Sequence, residues 1–177
     1  MVLPIIVAAF SPYLVFRDAT YIIAGFAGII CLSLFVLQPL LSTRLLTPNP
    51  IVARRLHRVV GIALLILVII HVVGLYFTSP PDVIDALVFR APTLFSVFGV
   101  IALWGIFLTA FIAFARRYLP AAAWRIAHQL LSTLVVFATI IHAVQIDGAM
   151  EVITKWGISI IALTTTVISL VWLNRRQ

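Results

Sequence analysis

The chain has 177 residues, 64% of them hydrophobic and 10% charged, with a formal net charge of +7. That balance is too apolar for a soluble domain of this length and points to an integral membrane protein. The positive residues fall at the ends of apolar runs rather than in one basic patch, so the charge is accounted for by a lipid bilayer and nucleic acid is not expected as a partner.

Taken in chain order, Met1 to Phe16 is a short apolar stretch interrupted by Pro4 and Pro12. It reads as a strained sixth span, with an interfacial segment or the stub of a longer start as the other options. No Lys or Arg precedes the apolar run, so the positively charged start of a signal peptide is missing. Runs long enough to cross about 30 Å of hydrocarbon follow at 20–41, 51–77, 92–115, 120–146 and 150–173. The fold class is therefore an all-α membrane protein, a bundle of five to six transmembrane helices, forming one domain over residues 1–177.

Breakers fall where ends are needed. Pro48 and Pro50 precede the second secure span, Pro80 and Pro81 follow it, and Pro120 opens the fourth. In the longest connector, Thr78 to Ala91, the segment 82–88 has the composition of a short amphipathic surface helix, and an irregular loop fits it equally. Cys31 lies within the first secure span with no second cysteine to pair with, which makes it a packing residue. Tyr13, Tyr21, Tyr76, Tyr118, Trp124, Trp156 and Trp172 lie toward span ends, as amphipathic rings at a membrane interface should, whereas Trp104 is mid-span and reads as a packing or lipid-facing residue, with contact to a bound cofactor as the sharper alternative.

Arg44, Arg54, Arg55, Arg58, Arg116, Arg117, Arg125, Arg175 and Arg176 flank one side of the spans, against Arg17, Arg90 and Lys155 on the other. By the positive-inside rule the first group, and with it the C-terminus, faces the cytoplasm. Asp18, Asp82, Asp85, Asp147 and Glu151 then all lie outside.

The residues that bear chemistry are the four histidines, which form two pairs of equal spacing, His57/His71 and His128/His142. Fourteen residues correspond to about 21 Å along a helix axis and return the second ring to within roughly 40° of the first, so each helix shows both imidazoles on one face. One span separates the two histidine-bearing spans, which therefore run parallel. His57 then lies level with His128 and His71 with His142. Each level offers the two axial ligands that a haem iron takes when a macrocycle is slotted between helices. Leu64, Leu65, Ile66, Val135 and Val136 form an apolar layer between the levels.

Gly61, Gly74, Ser132 and Ala138 are small residues near the histidines that would admit a porphyrin, although small residues also serve plain helix packing. Arg54, Arg58 and Arg125 lie close enough to His57 and His128 to pair with haem propionates, although setting topology and binding lipid phosphate is the plainer role for most of them. Ionisable groups at membrane depth rarely occur without a task, and packing does not require a shared spacing and depth. Zinc or copper fits less well, because histidines about 21 Å apart cannot serve one ion and no Cys, Asp or Glu is near enough to complete a site. No Ser/His/Asp set or glycine-rich phosphate loop is present, so any chemistry belongs to a cofactor. The two histidine spans form a weak repeat that extends to the arginines upstream of them.

This pattern, Arg54-Arg55-Leu56-His57-Arg58 with His71 and Arg125-Ile126-Ala127-His128 with His142, resembles the ferric reductase-like transmembrane domain of ferric-chelate reductases and NADPH oxidases. The resemblance covers nearly the whole chain and implies two b-type haems carrying electrons from a cytosolic flavin and nicotinamide domain to an outside acceptor. No such domain follows Leu173 in this sequence. A separate reductase or redox partner protein, a quinone or quinol, or a bound flavin at the cytoplasmic side is expected to supply electrons. In size and plan the chain is similar to short bacterial members of the family, and a bacterial inner-membrane location is expected. The competing function is an accessory or structural subunit of a larger membrane complex, with or without haem. A channel or proton relay is disfavoured, since no acid lies between the two histidine levels.

Overall fold

The computed structural model describes residues 2–43 and 45–174. Arg44, Arg175 and Arg176, counted above among the cytoplasmic positive residues, lie outside the described residues. Helices α1 (Leu3–Ala9), α2 (Ala19–Thr43), α3 (Pro50–Thr78), α4 (Pro80–Leu87), α5 (Leu94–Phe114), α6 (Ala121–Gln145) and α7 (Val152–Asn174) are joined by short connections, with no strand among the described residues. Five of them, α2, α3, α5, α6 and α7, are long and apolar enough to cross a membrane, and their limits lie within about two residues of the predicted spans. This is a multi-pass membrane protein.

The expected sixth span is not formed. Helix α1 has seven residues, about 10 Å of rise against about 30 Å of hydrocarbon. It stops because Ser11, ahead of Pro12, takes an extended ψ of 131°, as the proline ring disfavours a helical residue before it. A 3-10 turn, Pro12–Leu14, follows. Helix α1 instead buries Pro4 and Ala8 against the bundle, packing on α2 and α7.

Local chemistry sets the other ends. The Asn49 side chain accepts from the amides of Ile51 and Val52 and caps α3, whose first residue, Pro50, lacks the amide that would otherwise need a partner. In the connector the helix option is realised: α4 starts on Pro80-Pro81 with Asp82 in its first turn, where a carboxylate suits the positive helix end. Phe89 just beyond it has φ of 58°, a left-handed position more often held by glycine. Within α2, Pro39 removes one helical hydrogen bond, and its carbonyl accepts from the hydroxyls of Ser42 and of Ser169 on α7.

Around the bundle the long helices follow the order α3, α2, α7, α6, α5, with α5 closing on α3. Helices α3 and α6 scarcely approach each other along their backbones. Lipid tails are as apolar as leucine, so these contacts rest on close fit rather than on hydrophobic exclusion. A Cβ at Gly74 would lie 2.7 Å from the Ala24 Cβ, so the missing side chain is what lets α2 and α3 meet. Large apolar residues on the outside of the ring, among them Ile62, Ile66, Leu108, Phe111 and Leu130, are exposed and suit contact with lipid. Arg54, Arg55, Arg58, Arg116, Arg117 and Arg125 lie at one end of the bundle, called here the basic end, and all five acids lie at the other.

Candidate haem-binding site

The four histidines project from α3 and α6, and the rings meet in the predicted pairs. The His57 and His128 centroids are 6.3 Å apart with planes at 61°, and those of His71 and His142 are 6.4 Å apart at 81°. Both pairs can form only if α3 and α6 run parallel and in register. The His57/His128 pair lies toward the basic end and the His71/His142 pair toward the acidic end.

Neighbouring helices aim the rings from behind. Nδ1 of His71 is 2.8 Å from the Ala24 carbonyl oxygen on α2, and Nδ1 of His142 is 2.7 Å from that of Phe95 on α5. Nδ1 of His57 is 3.2 Å from the Gln38 carbonyl oxygen, and the Gln38 side chain returns a bond from Nε2 to the His57 carbonyl at 3.2 Å. A carbonyl oxygen only accepts, so in these three rings Nδ1 carries the proton and Nε2 keeps its lone pair. Such an arrangement at the second nitrogen fixes the tautomer and orientation of a metal-binding imidazole and raises its basicity.

His128 differs. Its Nδ1 is buried without a hydrogen-bond partner, and its ring stacks on Trp124 instead, centroids 5.5 Å apart and planes at 19°.

Glycines give two of the rings room. A Cβ on Gly28 would meet Nδ1 of His71 at 3.0 Å, and one on Gly99 would meet Nδ1 of His142 at 2.7 Å. Neither glycine was singled out in the sequence. Gly61 and Gly74, which were, face α2: the nearest atom to a Cβ on Gly61 is the Gln38 Nε2 at 3.2 Å. Arg54, Arg58 and Arg125 are exposed, within a turn of His57 or His128. Of the predicted apolar layer, Leu64, Val135 and Val136 are buried in one cluster with Cys31 and Phe35, Leu65 is half-buried and Ile66 is turned outward. Trp104 is 56% exposed, which makes it a lipid-facing residue. Lys155, counted above with the outside cations, is buried and donates to the Ile146 carbonyl just past the end of α6, where a cation suits the negative end of the helix.

No protein-family model, curated protein or solved structure matches the chain. A five-membered ring with bonds of about 1.33 Å has each nitrogen about 1.1 Å from its centroid. With a metal–imidazole bond of about 2.0–2.1 Å, two imidazoles on opposite sides of one ion have centroids about 6.2–6.4 Å apart. Both pairs have that separation. No group of three or more His, Cys, Asp or Glu that could hold an ion occurs among the described residues, so each pair supplies two ligands and no more. An ion whose remaining positions are filled by a macrocycle fits that donor set, and a tetrahedral zinc site does not.

Proposed function

We propose that this protein is a transmembrane electron-transfer unit binding two b-type haems, one ligated by His57 and His128 and the other by His71 and His142. The supporting observation is that two independent histidine pairs, on the same two helices, both have the centroid separation of imidazoles bound to opposite sides of one metal ion. When bound, the haems supply one-electron redox chemistry.

The chain's own residues do the rest. His71, His142 and His57 present Nε2 because backbone carbonyls hold their Nδ1 protons. Leu64, Val135, Val136, Cys31 and Phe35 fill the space between the levels and exclude water, so an electron can pass between haems held about 21 Å apart along the bundle while ions cannot. Arg54, Arg58 and Arg125 stand near the basic-end pair, where they can neutralise propionates. The basic end faces the cytoplasm of a bacterial inner membrane and receives electrons there from a separate reductase, a flavin or a quinol. The acceptor lies outside.

The test is spectroscopic. Protein purified in detergent, oxidised and then reduced with dithionite, should show low-spin b-type bands, with about two haems per chain by pyridine haemochrome assay. Protein that gains no haem when supplied with it during expression would overturn the proposal in favour of a scaffold subunit.

A further inference from the structure

Three of the four candidate ligands are held by a hydrogen bond and one is not. The exception lies where two other buried polar atoms also lack a partner: Gln38 Oε1, Trp124 Nε1 and His128 Nδ1 all belong to the basic-end level, while the acidic-end pair leaves no ring nitrogen orphaned on Nδ1. Gln38 and Thr109 stand 71 positions apart, as His57 and His128 do. Gln38 supplies the carbonyl that holds His57, yet no corresponding bond joins Thr109 to His128, and the Thr109 hydroxyl bonds to the Gly105 carbonyl at 2.7 Å.

Trp124 takes over the holding. It stands four residues before His128 on α6, one turn away on the same face, and lies against that imidazole nearly parallel to it. The Arg116 guanidinium, from the 3-10 turn Ala115–Tyr118, lies 4.7 Å from the same indole centroid. The residues four before the other histidines are Ala53, Leu67 and Ala138, none of them aromatic. Rotation about the Cβ–ring bond of histidine is soft, and a ring without a hydrogen bond needs another restraint to keep one orientation.

We infer that Trp124 is a positioning residue for the basic-end haem, restraining the His128 imidazole by stacking, and that His128 is the axial ligand most readily displaced. This rests on the two-haem reading. A partner on the second ring nitrogen is typically worth about 10- to 100-fold in metal affinity, and His128 alone lacks one. An exogenous ligand such as carbon monoxide should therefore enter at the basic-end iron, the Fe–Nε2 bond to His128 breaking as the Fe–C bond forms.

The experiment uses the full chain loaded with haem and reduced by dithionite. Carbon monoxide should shift the spectrum of about one haem per chain. His71→Ala protein, which keeps the basic-end haem, should retain that response, whereas protein carrying His57→Ala should lack it at the remaining bis-histidine haem. Trp124→Leu should speed carbon monoxide binding about tenfold or more and give one haem high-spin character, while Trp124→Phe, which keeps a stacking ring, should restore the wild-type spectrum. Carbon monoxide taken up at the acidic-end haem, or by neither haem, would overturn the inference, as would Trp124→Leu protein with wild-type spectrum and rate. Where Trp124→Leu protein does not accumulate, the site of binding in the unsubstituted chain decides. Each of these outcomes leaves the haem count of the unsubstituted protein intact, and that count alone tests the two-haem reading.

Discussion

The hairpins α2–α3 and α5–α6 hold their acidic-end histidines by one construction. In each, the imidazole bonds to a carbonyl 47 residues upstream, Ala24 for His71 and Phe95 for His142. In each, a glycine four residues after that carbonyl makes room for the ring. At the basic end the hairpins part: His57 keeps its carbonyl from Gln38, and His128 has Trp124 in its place. Equal spacing of histidines along two helices therefore does not imply equal restraint of their rings. The helix behind each ligand decides how firmly it is held, and the repeat is more complete in three dimensions than in the sequence.

The equivalence at the acidic end is broken most severely by removing a ligand. His71→Ala and His142→Ala should each lower the haem content from about two per chain to about one, and to the same extent, with the basic-end haem spectrum retained. A variant that loses both haems, or neither, would show that the pairs are not independent sites.

The glycines behind the rings come next in size. Gly99→Ala would set a Cβ 2.7 Å from Nδ1 of His142 and Gly28→Ala one 3.0 Å from Nδ1 of His71. Each imidazole must then shift off its carbonyl or the helices must part, at about 1–3 kcal/mol for such overpacking, with Gly99→Ala the costlier. Thermal unfolding in detergent, followed by the haem band, should rank wild type above Gly28→Ala and Gly28→Ala above Gly99→Ala. The reverse order would mean that α5 yields more easily than α2.

The glycines on α3 should differ by level. A Cβ on Gly74 meets the Cβ of Ala24 at 2.7 Å, so Gly74→Ala pushes apart the backbones that let Ala24 hold His71, again at about 1–3 kcal/mol. A Cβ on Gly61 meets only the far end of the Gln38 side chain, at 3.2 Å, and Gly61→Ala should stay within about 0.5 kcal/mol of wild type. The same melting measurement separates them, and equal effects would contradict the geometry.

The five spans and the two histidine levels were legible in the sequence because hydropathy and helical period report directly on a bilayer and on a shared face. Met1 to Phe16 misled because apolar character carries no information on where a proline stops a helix, and Ser11 before Pro12 decided it. The carbonyls of Ala24, Gln38 and Phe95 were invisible for another reason: a backbone acceptor has no residue signature. Gly28 and Gly99 did carry a signal, since they stand 71 positions apart like the histidines they face. Gly61 and Gly74 drew notice through proximity along α3, yet proximity along a helix does not say which neighbour a face meets. Trp124 read as an interfacial ring because it lies near a span end, although its position four before His128 also put it on the histidine's own face.

Trp104 gives the smallest expected effect and the sharpest contrast with Trp124. Both are tryptophans on spans of the same hairpin, but Trp104 is 56% exposed and its nearest ring is Phe107, at 6.1 Å, on its own helix. Lipid tails can replace most of what that indole touches, so Trp104→Ala should leave the haem count and the spin states unchanged and lower the melting temperature no more than Gly61→Ala does. An altered haem spectrum in Trp104→Ala protein would mean that the indole reaches a macrocycle edge. The face of α5 assigned to lipid would then be wrong, and with it the closure of the ring of helices through α5 and α3.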